Sequence, residues 1–561
     1  MGNWITSTLL RFDSFLFFST TKTHNSLQYR EQAAQVNSPY LVRVAAEIVE
    51  LQRRRMHDSD DETDFSSDEE CPQISAAEEA RMFERERKIA FSGRCTIGDH
   101  KSLDTLREDI SMRCDCVPST SITNYCLSRE VGNRRCSKVM TKREQTTLVN
   151  TFTPNRRKNV CKLQTKTFCC QYANQGKMLV VAGQDERIRF FRKAGKRHPT
   201  QYEQFNELRA DVCSWSILDV AVAENAETLC YSTWRQAIYL TRLGNEARAE
   251  GEQRVAWNHI DLDVAQEHNM AVFSLRYSKD SRQIVCGSSD RSLHVFDVER
   301  RCRLRTIGQA HEDDVNAVCF ADDNSNLIYS AGDDGLIKVW DRRAWSEGDL
   351  EPIGIFAGHR DGITYVDSRG DDRYLLSNCK DQTIKLWDMR KFSSAEGVAE
   401  TRVCVNSQRW DYRWQPAPPG MCQPVNGDTS VMTLRGHNVL HTLVRAKFSP
   451  EHTGKRYIYT GCARGEVVVY DMLTGVVSNR LKGHIGVVRD VDWHPELNEM
   501  VSASWDGVTS IWYWDERANH VTAPFEGAQF GDEDSCDEFY VPIPHHQLPP
   551  NKRLRKHRAG F

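Results

Sequence analysis

His311, Ser330 and Asp334 are the three residue types of a hydrolase relay: a hydroxyl to attack, an imidazole to take its proton and a carboxylate to hold the imidazole. The set returns as His359, Ser377 and Asp381, and again as His484, Ser502 and Asp506. In every copy the Ser stands four residues before the Asp, and a Trp (Trp340, Trp387 or Trp512) follows six residues after it. A nucleophile needs one site with an oxyanion hole and a substrate cleft. Repetition at regular spacing, with a Trp each time, points instead to buried hydrogen-bond networks that fix the register of a repeated unit. The chain has no phosphate-binding P-loop, HExxH or kinase signature. The expectation is a protein that is not an enzyme and needs no cofactor or metal.

The elements that carry these sets are short strand-like runs of β-branched and aromatic residues separated by turn residues. The plan is clearest over Ala310–Arg343, and recurs over Gly358–Arg390, Gly436–Asp471 and Gly483–Trp512. Its marker is an Asp six residues before a large aromatic, at Asp185/Phe191, Asp290/Phe296, Asp334/Trp340, Asp381/Trp387 and Asp506/Trp512. Arg464 replaces the Asp before Tyr470, and a degenerate copy over Ser232–Leu240 has Arg235 in that place and no aromatic. Seven copies over 161–515, allowing for an insertion at about 391–432, leave about 45 residues each, the size of one four-stranded propeller blade. One such sheet cannot bury both faces, whereas sheets stacked around an axis can, and closing the ring protects their edges. The predicted fold is all-β: a seven-bladed WD-repeat β-propeller, with a partly helical, partly disordered N-terminal extension and a disordered C-terminal tail. The insertion's Trp410, Tyr412 and Trp414 are expected either to cover a blade edge or to join a binding face.

A chain of 561 residues with 39% hydrophobic content can bury a large core, and a net charge of −4 gives no support for general polyanion binding. No direct nucleic-acid contact is expected. The 19 Cys are scattered through strand-like runs, and are read as reduced and mostly buried. Cys114, Cys116, Cys126 and Cys136 lack the spacing of a zinc finger.

The flanks divide by composition. Residues 1–38 form an apolar leader, for which a membrane-surface or organelle-directing role, lipidation at Gly2 and a plain disordered leader are all open. Residues 39–57 have helical periodicity and an unpartnered apolar face, fitting a partner-docking helix or packing on the main domain. An acidic linker follows at 58–74, in which Ser59, Ser66 and Ser67 precede acidic residues and so are candidate phosphorylation sites. The extension over 75–160 has a weak pattern, with closure of the propeller expected near its end. The tail, 516–561, ends in a basic cluster of Lys552, Arg553, Arg555, Lys556 and Arg558, read as a nuclear import signal. Localisation to nucleus and cytoplasm is expected, with the mitochondrial surface as the alternative through the leader, the one segment suited to membrane contact.

Two consecutive copies end in W-D-x-R: Trp340, Asp341 and Arg343, then Trp387, Asp388 and Arg390. The Trp-Asp pair closes a third strand, so each Arg falls in the next turn, on the wide bottom face. This double box resembles that of WD-repeat substrate receptors for cullin-4 RING ubiquitin ligases. With HEDDVNAV, GHRDGIT, CKDQTIKLWDMR, WDYRWQ and RGHNVLHTLVRAKFSP, the ring is similar to the WD-repeat protein 23 family of such receptors. The resemblance implies that these six residues dock on the damaged-DNA-binding protein adaptor and so on cullin-4. It also implies a substrate that is a stress-response bZIP transcription factor. With the bottom face so used, Trp234, Arg235, Lys380, Arg464 and Trp505, in turns on the opposite face, are the candidate substrate face, with the three cations as a basic mouth. The alternative is a WD-repeat scaffold in a nuclear complex with no ligase.

Overall fold

The computed structural model describes residues 95–114 and 142–516, apart from 196–199, 244–256, 262–269, 346–350 and single positions 212, 214, 419 and 422. The leader, the candidate docking helix, the acidic linker and the basic tail cluster lie outside the described residues.

Seven antiparallel sheets make seven blades, each numbered here by its innermost strand. Blade one begins at Thr167–Ala173, blade two at Asp219–Val222, blade three at Val272–Tyr277, blade four at Val315–Phe320, blade five at Ile363–Ser368, blade six at Ala446–Phe448 and blade seven at Val488–Trp493. The middle strands carry the core. Tyr374–Cys379 and Thr383–Asp388 in blade five are buried along their whole length. Their apolar side chains fill both faces, as stacked sheets require. The innermost strands of blades one, three, four, five and seven share an irregularity near their start, as between Val315 and Ala317. Such a bulge bends a strand and raises its twist, which suits a strand that lines a narrow channel.

The outer strand of blade seven comes from the N-terminal side: Arg156–Lys162 pairs with Val508–Tyr513 and closes the ring. The joint with blade one is pinned at Glu499, which accepts hydrogen bonds from the Tyr172 hydroxyl at 2.9 Å and from Tyr202, and pairs with Lys193 at 3.1 Å.

The extension before that strand forms a strap. Thr96–Ile97 adds a fifth strand to blade five by pairing with Met432 and Thr433. Helix α1, His100–Arg113, follows, with Asp99 as its N-cap. Its Leu103, Leu106 and Ile110 recur at helical spacing and are fully buried against Tyr374, Leu376, Ile458 and Tyr470 of blades five and six. Asp109 pairs with Arg369 at 2.7 Å. Helix α2, Lys142–Thr151, bonds through Asn150 to the Thr453 carbonyl of blade six, and its Val149 carbonyl accepts from Asn498 of blade seven.

The insertion after the third strand of blade five contains helix α3, Ala395–Ser407, capped by Ser394. It climbs to the opposite face. Gly335, at φ +73° in the turn after Asp334, lets Val405 of α3 approach so closely that a Cβ there would lie 2.6 Å from Val405 Cγ2. Trp410, Tyr412 and Met421 then form a buried cluster with Leu440 and Leu443, while Trp414 stays 45% exposed. Among the described residues no helix is long and apolar enough to cross a membrane.

Candidate functional site

The three Ser-His-Asp sets are structural. In blade four His311 Nδ1 lies 2.9 Å from Asp334, His311 Nε2 lies 2.7 Å from Ser330 Oγ, and Trp340 Nε1 donates to the same Oγ at 2.8 Å. Blade five repeats this with His359, Asp381, Ser377 and Trp387 at 2.9, 2.6 and 2.8 Å. Blade seven repeats it with His484, Asp506, Ser502 and Trp512 at 3.0, 2.7 and 2.8 Å. Each hydroxyl accepts from an indole and serves the imidazole, so it has no lone pair and no space for a substrate. All three Ser are fully buried. Burial alone would raise the Asp506 carboxyl, but its hydrogen bond with His484 outweighs that and holds it at about 2. His359, Cys379 and Asp381 lie close enough to hold an ion. However, both His359 nitrogens are engaged, and the Cys379 thiol donates to the carbonyls of Asp361 and Gly362. Burial pushes that thiol well up, which keeps it protonated.

Blade six shows why its pattern differs. With Arg464 in place of the Asp, His437 Nδ1 turns to the Tyr470 hydroxyl at 2.9 Å and Nε2 to Asn378 of blade five at 2.9 Å.

On the bottom face the W-D-x-R boxes sit just past the third strands, Ile337–Asp341 and Thr383–Asp388, of consecutive blades. Their chemistry is unequal. Arg343 lies in a 3₁₀ turn and closes a two-pronged pair with its own Asp341, at 3.0 and 2.8 Å, with 67% of its side chain exposed. Asp388 instead takes both prongs of Arg373 at 3.2 and 3.0 Å, and accepts the Arg390 backbone N–H at 3.0 Å. Arg390 is exposed, and its side chain has no ion-pair or hydrogen-bond partner among the described residues. The sequence reading therefore needs correction for three of its six docking residues. Trp340, Trp387 and Asp388 are at most 2% exposed. They hold the turns in place and cannot themselves meet a partner.

On the top face Arg235 and Arg464 are exposed, and Trp234 and Trp505 are half-buried. Lys380 is a second correction. It is 2% exposed, paired with Asp333, and covered by the Tyr412 ring 4.6 Å away. The insertion roofs it over, so it cannot contribute to an open basic mouth. Trp505 and Trp234 instead belong to one arc of rings. Trp505 meets Phe168 at 5.8 Å, Phe168 meets Trp215 at 5.6 Å, Trp215 meets Trp234 at 6.0 Å and Trp234 meets Phe273 at 5.6 Å.

Sequence reasoning missed the charged residues that fill the channel. Arg445 of blade six bridges Asp219 of blade two at 2.7 Å and Asp490 of blade seven at 3.0 Å. Lys447 pairs with Asp490 and Asp492 at 3.2 and 3.1 Å, and Arg276 pairs with Asp219 at 3.0 Å. Despite burial, Arg445, Arg276 and the backbone N–H of Leu275 hold Asp219 below its usual range. A signal was present: charged residues at or beside innermost strands of several copies, where alternation alone would place apolar ones.

The comparisons follow the same division. A WD domain, G-beta repeat family model matches residues 262–297, 302–341, 350–388 and 475–513. These are blades three, four, five and seven. The blades it passes over include six, with Arg464 for the Asp, and two, with Arg235. The "DDB1- and CUL4-associated factor 11 homolog" of Caenorhabditis elegans is 56% identical over 97% of this chain and 95% of its own length. The chain belongs to the DDB1- and CUL4-associated factor 11 family. A second member, from Caenorhabditis briggsae, is 57% identical over 93% of this chain and 95% of its own length. The LEC14B protein of Lithospermum erythrorhizon is 40% identical over 66% of this chain and 76% of its own length. The first two alignments exceed the ring, so this family shares flanking sequence as well as blades.

Proposed function

We propose that this chain is a substrate receptor of a cullin-4 RING ubiquitin ligase. It is a non-catalytic subunit that docks on the damaged-DNA-binding protein adaptor and presents a bound protein for ubiquitination and proteasomal degradation. The observation that carries the reading is the pair of W-D-x-R turns on consecutive blades, in a chain whose relatives are named for association with DDB1 and CUL4. Arg343 and Arg390 make the contact, since their exposed guanidinium groups suit carboxylates and carbonyls on a partner. Asp341 orients the first, and buried Trp340, Trp387 and Asp388 fix both turns. The substrate sits on the opposite face, at Trp234, Arg235, Arg464 and Trp505. By family resemblance it is a stress-response bZIP transcription factor, and the tail cluster from Lys552 to Arg558 brings the receptor to the nucleus. Contact with a membrane, the mitochondrial surface included, would run through the leader at 1–38. The contribution to the reaction is proximity: the substrate lysine is held near a ubiquitin-loaded enzyme.

The test is affinity purification of the full chain beside an Arg343→Ala, Arg390→Ala variant, with partners quantified by mass spectrometry. Wild type brings down the adaptor and cullin-4, and the folded variant loses at least tenfold. Equal recovery by both would remove the docking role of the boxes. Recovery by neither would leave a scaffold without a ligase.

A further inference from the structure

The channel lattice contains one cation without a counter-charge. Arg276, Arg445 and Lys447 each meet a carboxylate. Arg489 is 3% exposed and has no carboxylate within ion-pair distance among the described residues. Its two terminal nitrogens donate to the carbonyls of Phe168 at 2.6 Å and Leu218 at 3.0 Å, and one lies 3.5 Å from Cys169 Sγ. Its Nε–H has no acceptor. Burial and the neighbouring Arg445 both weaken its hold on its proton. A buried charge left this way is costly unless something pairs with it.

The surroundings of Arg489 describe what could. Its guanidinium lies 5.1 Å from the Phe168 ring, the middle of the aromatic arc at the top mouth of the channel. Trp505, on the other side of Phe168, also has an indole N–H without an acceptor. Lys166 stands over the Trp505 ring at 4.1 Å. An arc of aromatic rings can also cage a cationic ligand. Here Arg489 and Lys166 already occupy ring faces, and like charge would repel a third cation. The complementary ligand is an anion on an apolar carrier.

We propose that the top mouth of the channel binds the free carboxyl terminus of a partner protein, with its carboxylate against Arg489 and its last apolar side chains among Phe168, Trp215, Trp234 and Trp505. The depth of Arg489 selects a chain end over an internal Asp or Glu. A terminus enters a narrow mouth end-on, whereas an internal residue must bring two flanking strands of chain with it. The carboxylate supplies the missing acceptor for both unpaired donors and the missing charge for the lattice. This assignment rests on the reading of the top face as the substrate side, and names the class of substrate that face takes.

The probe is a set of fluorescein-labelled pentapeptides Gly-Ser-Gly-Ser-X, with X each of the twenty residues. Each is made as free acid and as carboxamide, and titrated by anisotropy into the full chain. A third arm carries Glu at an internal position and a carboxamide end. Free acids with apolar X should bind, and their carboxamides should bind at least tenfold more weakly. Arg489→Gln should abolish the difference. Should that variant not fold, Trp505→Ala and Lys166→Ala, at half-exposed positions, should each weaken the free acid severalfold. Equal binding of acid and carboxamide, no binding of any acid, or equal binding of the internal-Glu arm would each overturn the proposal. The Arg343→Ala, Arg390→Ala variant should bind these peptides like wild type, which keeps failure here separate from failure at the adaptor face.

Discussion

Replacing Ser377 by Ala removes one buried oxygen and strands two buried donors or acceptors. Trp387 Nε1–H loses its acceptor at 2.8 Å, and His359 Nε2 loses its partner at 2.6 Å. The site is closed to water: Ser377, His359 and Trp387 are all fully buried. Each unsatisfied buried group costs about 1–3 kcal/mol. The lost hydroxyl carried a desolvation cost of its own, which offsets part of this. The expected net loss is about 2–4 kcal/mol, read as a fall in Tm of roughly 4–8 °C for a domain of this size. Thermal unfolding followed by intrinsic Trp fluorescence gives the value. Trp387→Phe alone and with Ser377→Ala completes a double-mutant cycle, in which a shared network should give a coupling of at least about 0.5 kcal/mol. Ser330→Ala and Ser502→Ala, in the matching positions of blades four and seven, should fall in the same range. A Tm change below about 1 °C for Ser377→Ala would refute the argument that this hydroxyl holds the blade's register.

Three further outcomes are expected. Burial lowers the His437 imidazole from 6.5 to about 3. Between those values the unfolded chain binds a proton that the folded chain refuses, so stability falls as pH drops below 6.5, by up to about 1.4 kcal/mol per pH unit for this group, until about pH 3. Urea midpoints from pH 7 to 4 measure it, and a His437→Gln variant should show a shallower slope. Leu106→Asp puts a carboxylate into the fully buried seam between α1 and blades five and six. It should free the strap, seen as faster amide exchange over 96–113, while the Arg156–Lys162 strand stays protected. Arg373→Ala leaves buried Asp388 without its only ion-pair partner. It should cost about 3 kcal/mol or more. It should also weaken adaptor binding severalfold, measured by co-purification, although Arg390 itself is intact.

Much of the ring was legible because its signal is local. A strand, a tight turn with Asp, a second strand and a Trp stand at fixed offsets in the chain, so the networks at Ser330, Ser377 and Ser502 could be read from spacing. The strap was not legible in that way. Leu103, Leu106 and Ile110 do recur at helical spacing, but their partners lie more than 250 residues downstream in blades five and six. Two errors share one cause. Lys380 stands in a top turn by sequence, and Asp388 in a surface box. Each was taken as accessible because nothing nearby in sequence covers it. Tyr412 of the insertion covers the first, and Arg373 from the preceding turn holds the second.

The sequence by itself determined the repeat, the seven-fold count and the placing of Arg343 and Arg390 in consecutive bottom turns, because each depends on offsets within about 45 residues of chain. Only the tertiary structure decided which cations are free. Arg343 turns back on Asp341, Arg390 does not, Lys380 is roofed, and Arg489 is buried without a counter-charge. The physical reason is that a charge is available or spent according to what lies within about 4 Å of it. In a closed ring those neighbours come from other blades, across the channel or along the insertion, at distances in sequence that no local pattern can carry.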